Sequence, residues 1–147
     1  MTGRWFVSIA VGDTLPLSPN YRLNRWEEAR RKAQLRDQVR WLLRARHVPR
    51  MQRAHVQVEW TPRLNRRRDV ENLAAVQKVL IDGCRDYPER RSLDRSRLIE
   101  PAWTGVVPDD DPQHVTWDPP IIHPPQKDCR ERLTLVIEDR TDETRTA

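Results

Sequence analysis

The stretch Ala54-His-Val-Gln-Val-Glu-Trp60 decides the fold class, because apolar and polar side chains alternate along it. Its two valines and its tryptophan fall on one side, which is the pattern of a strand with one buried face. Pro62 ends this strand, since proline cannot donate to a sheet ladder. Four arginines follow within residues 63–68.

The residues after this connection predict a helix over 70–82, opened by Asp69. Its inner apolar stripe repeats at helical spacing and consists of Leu73, Val76 and Leu80. Gly83 follows the last residue of the pattern and is expected to end the helix as a C-cap.

Upstream of the central strand, residues 26–46 contain neither glycine nor proline and predict a long helix. Asn24 is placed to cap it, and two glutamates in the first turn suit the helix dipole. Before the helix, residues 4–10 form a β-rich run and residues 15–22 a turn-rich connection. The residues that repeat at helical spacing are Leu35, Val39, Leu42, Leu43 and, at the end of the helix, Arg46.

Downstream of the second helix, residues 84–104 are highly charged and weakly patterned. We expect a surface insertion there that can hold a short helix. Order returns over residues 105–117, with a strand near Val115. Residues 119–125 are rich in proline and predict a stiff connection.

Residues 132–138 predict a closing strand, and the tail after residue 139 is expected to fray. The order strand, helix, strand, helix, strand, strand predicts one α+β domain spanning residues 1–147. Its mixed sheet should have about four strands, packed with two main helices. The order does not specify which strands are neighbours.

Composition narrows the function classes. The 147 residues suit one domain, and no apolar stretch reaches the length of a membrane span. Cys84 and Cys129 lie far apart, which fits a reducing compartment and neither a disulfide scaffold nor a zinc site. With no signal-peptide pattern, we expect a cytoplasmic protein. The sequence has no glycine-rich phosphate loop, which argues against a nucleotide cofactor.

Charge is unevenly distributed along the chain. The net charge is +5, and residues 22–68 hold 15 lysines and arginines against four acids. A basic segment of this kind favours a polyanionic partner. Two acidic groups follow this basic segment. Asp69 and Glu71 stand directly after its end, and the run of aspartates at 109–111 lies further along the chain. Carboxylates from two separate segments are the ligands that Mg²⁺ prefers, and Mn²⁺ can substitute for it.

Each acidic group also has a simpler interpretation. Asp69 can be the N-cap of the second helix, with Asn72 adding local hydrogen bonds. The Asp-Asp-Asp-Pro run can be a polar turn. Exposed acids beside DNA-binding arginines would nevertheless weaken binding, which favours a metal site over caps and turns alone.

Taken together, these motifs resemble the RusA-type Holliday junction resolvases, especially those carried by bacteriophages. The resemblance covers almost the whole chain outside residues 84–104. It rests on an acidic motif, a helix with a lysine and then an acid, and a later glycine-to-aspartate loop. These are Arg68-Asp69-Val70-Glu71-Asn72-Leu73, then Lys78 and Asp82-Gly83, then Gly105-Val-Val-Pro-Asp109-Asp110.

The resemblance implies a homodimer that binds four-way DNA junctions and cuts two strands symmetrically with Mg²⁺. By motif, Asp69, Glu71 and Asp110 would be the catalytic, metal-binding carboxylates. Asp109 would be a neighbouring ligand, and Lys78 would neutralise phosphate charge in the transition state.

Three features depart from the family pattern. Glu71 stands where aspartate is commoner, and residues 84–104 enlarge a connection that is usually short. The family's lysine position is Ala75 here, with Lys78 one turn later on a neighbouring face.

The expected contacts to the DNA backbone are arginines in and beside the basic segment. They are Arg22, Arg25, Arg63, Arg66, Arg67 and Arg68. Tryptophans could stack on bases, but most are explained more simply as core residues. These five are Trp26, Trp41, Trp60, Trp103 and Trp117.

Two competing functions remain open at this level. The first is a basic nucleic-acid-binding protein without catalysis, in which the acids act only as caps and turns. The second is a nuclease that prefers flaps or replication forks. EDTA separates the first from a nuclease, because simple binding does not need a metal.

Overall fold

The computed structural model describes residues 3–10, 15, 17, 22–62, 73–126 and 132–145. Two helices pack on a mixed five-stranded sheet, and a separate two-stranded hairpin lies outside it. This arrangement confirms the predicted small α+β domain, with one strand more in the sheet than the four expected.

Strand β1 spans Arg4–Ala10. The alternating stretch forms the inner strand β2, which spans Ala54–Thr61. The closing strand was also predicted correctly: β7 (Arg132–Asp139) pairs antiparallel with β2 along its whole length and with β1 on its other side. The other side of β2 pairs in parallel with β5 (Val115–Trp117) and β6 (Ile121–Ile122). The extra strand is β6, which lies within the proline-rich connection.

One face of this sheet carries the core. Val56, Val58 and Trp60 of β2 are buried, opposite equally buried aliphatic residues of β7. The predicted alternation is therefore confirmed. On the other face Phe6 is half exposed, and the Ser8 and Thr134 hydroxyls share a hydrogen bond of 3.2 Å.

Helix α1 (Arg25–Ala45) begins as predicted at Asn24, whose Oδ1 accepts a hydrogen bond of 2.8 Å from the Glu27 amide. The N-cap thus satisfies one of the amides that have no partner within the helix. Three residues of the predicted stripe are buried: Leu35, Val39 and Leu43.

Helix α2 spans Ala74–Asp82 in the described residues, and its predicted inner residues, led by Leu73 and Leu80, are buried. The helix ends at Asp82 with Gly83 as its C-cap, as predicted. The φ of Gly83 is −66°, so it does not adopt the left-handed conformation that favours glycine. A Cβ there would lie 3.1 Å from the Val39 side chain, so a larger residue would fit only tightly where α1 and α2 approach each other.

The insertion at residues 84–104 lies largely at the surface, as expected, but no helix forms in it. It contains a two-stranded hairpin of β3 (Arg90–Arg91) and β4 (Leu98–Glu100). At its base Tyr87 and Trp103 exchange two backbone hydrogen bonds of 2.8 and 2.9 Å. Exposed strands without a buried face have no alternating pattern to reveal them.

The expectation of a frayed tail is wrong for residues 140–145. Thr141–Arg145 forms a 3₁₀ helix, and the Arg140 amide donates to the Arg53 carbonyl at 2.8 Å. The Asp139 side chain caps this turn through the Thr141 amide at 2.9 Å. In the described part of the chain, neither helix is long and apolar enough to span a membrane.

Candidate active site

A cleft of about 430 Å³ opens between α2 and the loop that leads into β5. The cleft is lined by one basic and two acidic side chains, a lysine and two aspartates, among apolar and amide side chains. The residues that line it are Ala74, Gln77, Lys78, Ile81, Asp82, Asp110 and Trp117. We refer to this feature below as the cleft.

Helical spacing explains how α2 supplies one wall. Ala74, Lys78 and Asp82 are four residues apart, so their side chains share one face of the helix. Val76 and Leu80 lie on the opposite face and are fully buried. The same amphipathic pattern that docks the helix therefore directs a lysine and an aspartate into the cleft.

Hydrogen bonds hold the loop that carries Asp110 at both ends. Upstream, the Asp86 amide donates to the Val107 carbonyl at 3.1 Å. Downstream, the Asp111 carboxylate accepts from the Gln113 amide at 2.8 Å and from the His114 amide at 3.1 Å. Asp111 is therefore a turn residue, as the simpler interpretation of this run predicted.

Asp82 and Asp110 both line the cleft, close enough for each carboxyl to shift the pKa of the other. Partial burial, the hydrogen bond with Asp110 and repulsion from its charge raise the pKa of Asp82 to about 6. Burial also opposes ionisation of Asp110, but the hydrogen bonds from Asp82 and Asp109 hold its pKa below the ordinary value. The two carboxyls thus oppose each other's ionisation, and Asp82 keeps its proton to a higher pH than an isolated aspartate does.

Nearby cations reduce this repulsion without forming close ion pairs. The Arg85 Nε lies 3.9 Å from Asp110 Oδ1, at the outer limit of an ion pair. Lys78 is one helical turn from Asp82 and lowers its pKa through space. A cation between the two carboxylates would relieve the repulsion further.

Of the predicted site residues, the fold brings together Asp110 and Lys78. Ala75, the family's lysine position, packs against the core instead. Asp109 is exposed next to the cleft, and its Oδ1 accepts the Asp110 amide at 2.8 Å.

The remaining predicted site residues either lie away from the cleft or fall outside the described residues. Arg22 and Arg25 are exposed and are not among the described residues that line it. The predicted acids Asp69 and Glu71, and the arginines Arg63, Arg66, Arg67 and Arg68, lie outside the described residues.

Sequence reasoning missed Asp82 as a site residue. The signal was present, because Asp82 follows Lys78 at a spacing of four on a predicted helix. The motif that carries the resemblance includes Asp82 but assigns it no role, and its partner Asp110 is 28 positions away in the chain.

The chemistry of the cleft fits a hard divalent cation. Asp82 and Asp110 provide carboxylate oxygens that repel each other, and oxygen is the donor that Mg²⁺ requires. Within residues 73–126 and the other described ranges, no group of three acids, histidines or cysteines could hold a metal alone. A complete site would need further ligands, and Asp69 and Glu71 precede Leu73 by four and two positions.

Two other features are less suited to catalysis. A depression of about 500 Å³ lies on the open sheet face, but the carboxylate among its described lining residues, Glu59, is paired with His123 at 3.3 Å. Cys84 is a buried free thiol whose pKa burial raises to about 12, so it is not a nucleophile near neutral pH.

The prediction that most of the five tryptophans are core residues is wrong. Trp60 is a core residue, but Trp26, Trp41 and Trp117 are 86%, 68% and 51% exposed. Trp117 is the one of these that lines the cleft.

The chain matches no protein-family model and no curated protein. The resemblance to RusA-type resolvases therefore rests on the motifs of the sequence alone. The cleft and the charge of the chain are the features that bear on function.

Proposed function

We propose that this protein is a Mg²⁺-dependent endodeoxyribonuclease that cuts branched DNA, with four-way junctions as the first substrate to test. The observation that carries the proposal is the meeting of Asp82 and Asp110, with Lys78 beside them, in an open cleft of a basic chain. Two carboxylates that repel each other are unfavourable for stability, so their presence in one cleft favours a functional role.

The proposed roles follow from the chemistry of each side chain. Asp110 and Asp82 would hold the ion, together with Asp69, Glu71 and Asp109 from the sequence prediction. When bound, Mg²⁺ would lower the pKa of an attacking water and stabilise the leaving oxygen of a phosphodiester. Lys78 would contact a phosphate oxygen and offset the charge that develops there. Trp117 offers a flat apolar surface at the cleft on which a base could stack.

The test is cleavage of a synthetic four-way junction with Mg²⁺. We expect Asp110→Asn, Asp82→Asn and Asp69→Asn each to lower the cleavage rate at least about 100-fold, the scale of losing one charge-stabilising group. Asp118→Asn is the matched control, because Asp118 follows the cleft residue Trp117 but pairs with His55 at 3.1 Å. Equal cleavage by wild type and all three variants would contradict the metal site.

The same assay separates the competing functions. A protein that binds nucleic acid without cutting it would show no product with Mg²⁺ or Mn²⁺, and its binding would be indifferent to EDTA. Flap and replication-fork substrates, compared with the junction at equal concentration, identify the preferred branch structure. The homodimer implied by the resemblance is measured by sedimentation.

A further inference from the structure

Four arginines outside the cleft surround two aromatic rings at the base of the hairpin. Tyr87 and Trp103 are paired across this base, so their side chains are neighbours. Helix α1 contributes three arginines at successive four-residue steps, Arg36, Arg40 and Arg44, and thus along one face. We call these residues, together with Arg85, the guanidinium tract.

The arginines are held by the rings. The guanidinium carbons of Arg85, Arg40 and Arg36 lie 4.0, 4.2 and 5.3 Å from the centre of the Tyr87 ring. Those of Arg44 and Arg40 lie 4.5 and 5.9 Å from the centre of the Trp103 ring. All five distances are within the range of a cation–π contact. Stacking therefore restrains side chains that would otherwise be mobile.

Little negative charge balances the tract. Among the described residues, the side chains of Arg36 and Arg44 have neither a hydrogen bond nor an ion pair, and that of Arg40 has one carboxylate partner, Asp37, at 3.0 Å. The buried Nε atoms of Arg36, Arg40 and Arg85 also find no acceptor within this part of the chain. Four positive charges are therefore held close together with few acceptors, which favours an anionic partner.

The tract leads to the cleft. Arg85 belongs to it through Tyr87 and also approaches Asp110 at 3.9 Å. A guanidinium that stacks on a ring can still donate in its own plane, and phosphate oxygens are its preferred acceptors. A nucleic-acid strand at the cleft would thus meet a row of restrained phosphate donors beside it.

We infer that the guanidinium tract binds the phosphates of a DNA strand that enters the cleft, a contact separate from the arginines predicted from the sequence. The identity of the partner as DNA rests on the proposed function. The inference also gives residues 84–104 a role, because the base of this insertion supplies both rings. Without the Tyr87 and Trp103 rings, the three arginines of α1 would lack the stacking contacts that restrain them on the side facing the hairpin.

The test measures DNA affinity in EDTA, where no cleavage occurs. A fluorescent four-way junction is titrated with wild type, with the Arg36→Gln/Arg44→Gln double variant, and with Arg30→Gln as control. Arg30 lies on the same helix and is already paired with Glu27 at 2.6 Å, so its substitution removes the same kind of charge outside the tract. Circular dichroism melts confirm that each variant is folded.

We expect the double variant to bind about tenfold more weakly at 0.1 M salt, and Arg30→Gln to bind nearly as wild type. The slope of log affinity against log salt should become shallower by about 0.9 for each phosphate that the variant no longer neutralises. If the double variant does not fold, the single variant Arg44→Gln tests the inference in the same assay. The Arg44 side chain is exposed, so its substitution should leave the fold intact. Affinity and slope equal to those of the control would overturn the inference.

The outcome is distinguishable from failure of the proposed function. If wild type never cuts DNA but the double variant binds it more weakly, the tract stands and the endonuclease proposal fails. If Asp110→Asn abolishes cleavage while the double variant binds and cuts as wild type, the endonuclease stands and the tract fails.

Discussion

Asp82 is the last residue of α2 and carries the clearest electrostatic strain in the cleft. Its pKa is raised to about 6 in the folded protein, against 3.8 for an unperturbed aspartate. The folded state therefore binds the extra proton more tightly than the unfolded state. The stability that this proton contributes is fully present below pH 3.8 and is lost as the pH rises through 6.

At this scale we predict that Asp82→Asn stabilises the protein at pH 7 in EDTA. The amide removes repulsion from Asp110, and the gain should be on the order of 1 kcal/mol once solvent screening is allowed for. Urea unfolding at pH 5 and pH 7 measures it. The advantage over wild type should shrink at pH 5, and an equal or larger advantage there would contradict the assignment of the proton to this pair.

The elements that form the cleft depend on a close backbone contact between residues 84–86 and 105–107. Gly105 donates its amide to Asp86 Oδ1 at 2.7 Å and its carbonyl accepts from Arg50 Nη1 at 3.1 Å. Arg50 in turn pairs with both oxygens of Asp86, at 2.6 and 2.7 Å. This network holds the start of the loop that carries Asp110.

We predict that Gly105→Ala strongly destabilises the protein at this backbone contact. A Cβ at Gly105 would lie against the Cys84 carbonyl and 2.5 Å from the Arg85 carbonyl carbon, where no flexible side chain can yield. The expected loss is about 3 kcal/mol or more, the upper range for overpacking. Chemical denaturation measures it. Gly83→Ala is the comparison, with a smaller expected loss because its nearest contacts are at 3.1 Å.

For the whole molecule, ion binding and stability are linked. A cation that binds only the folded cleft stabilises the protein by about 2.7 kcal/mol at 100 times its dissociation constant. We therefore predict that Mg²⁺ raises the melting temperature of wild type and that Asp110→Asn abolishes this shift. Asp118→Asn should keep it. A melting temperature that is independent of Mg²⁺ in wild type would count against the metal site even if DNA binds.

The elements with a buried face were predictable, because burial imposes a period on the sequence. Strand β2 and helix α1 were located to within one residue at each end, since Val58 and Val39 must reach the same core. The hairpin escaped prediction because its strands are exposed. The pairing of Asp82 with Asp110 escaped it because only the tertiary fold brings those two positions together. The exposure of Trp41 was likewise not predictable, because a large apolar side chain favours burial in the core.

The position of β7 in the sheet has a consequence for biosynthesis. This strand lies between β1 and β2, and in the described strands β1 has no other neighbour. During synthesis β1 must therefore wait for residues 132–139 before it finds its strand partner. Until then Val7 and Ile9, which end up fully buried, remain exposed to solvent and accessible to chaperones. Nascent chains that stop before β7 should be recognised as unfolded and degraded, whatever the state of α1 and α2.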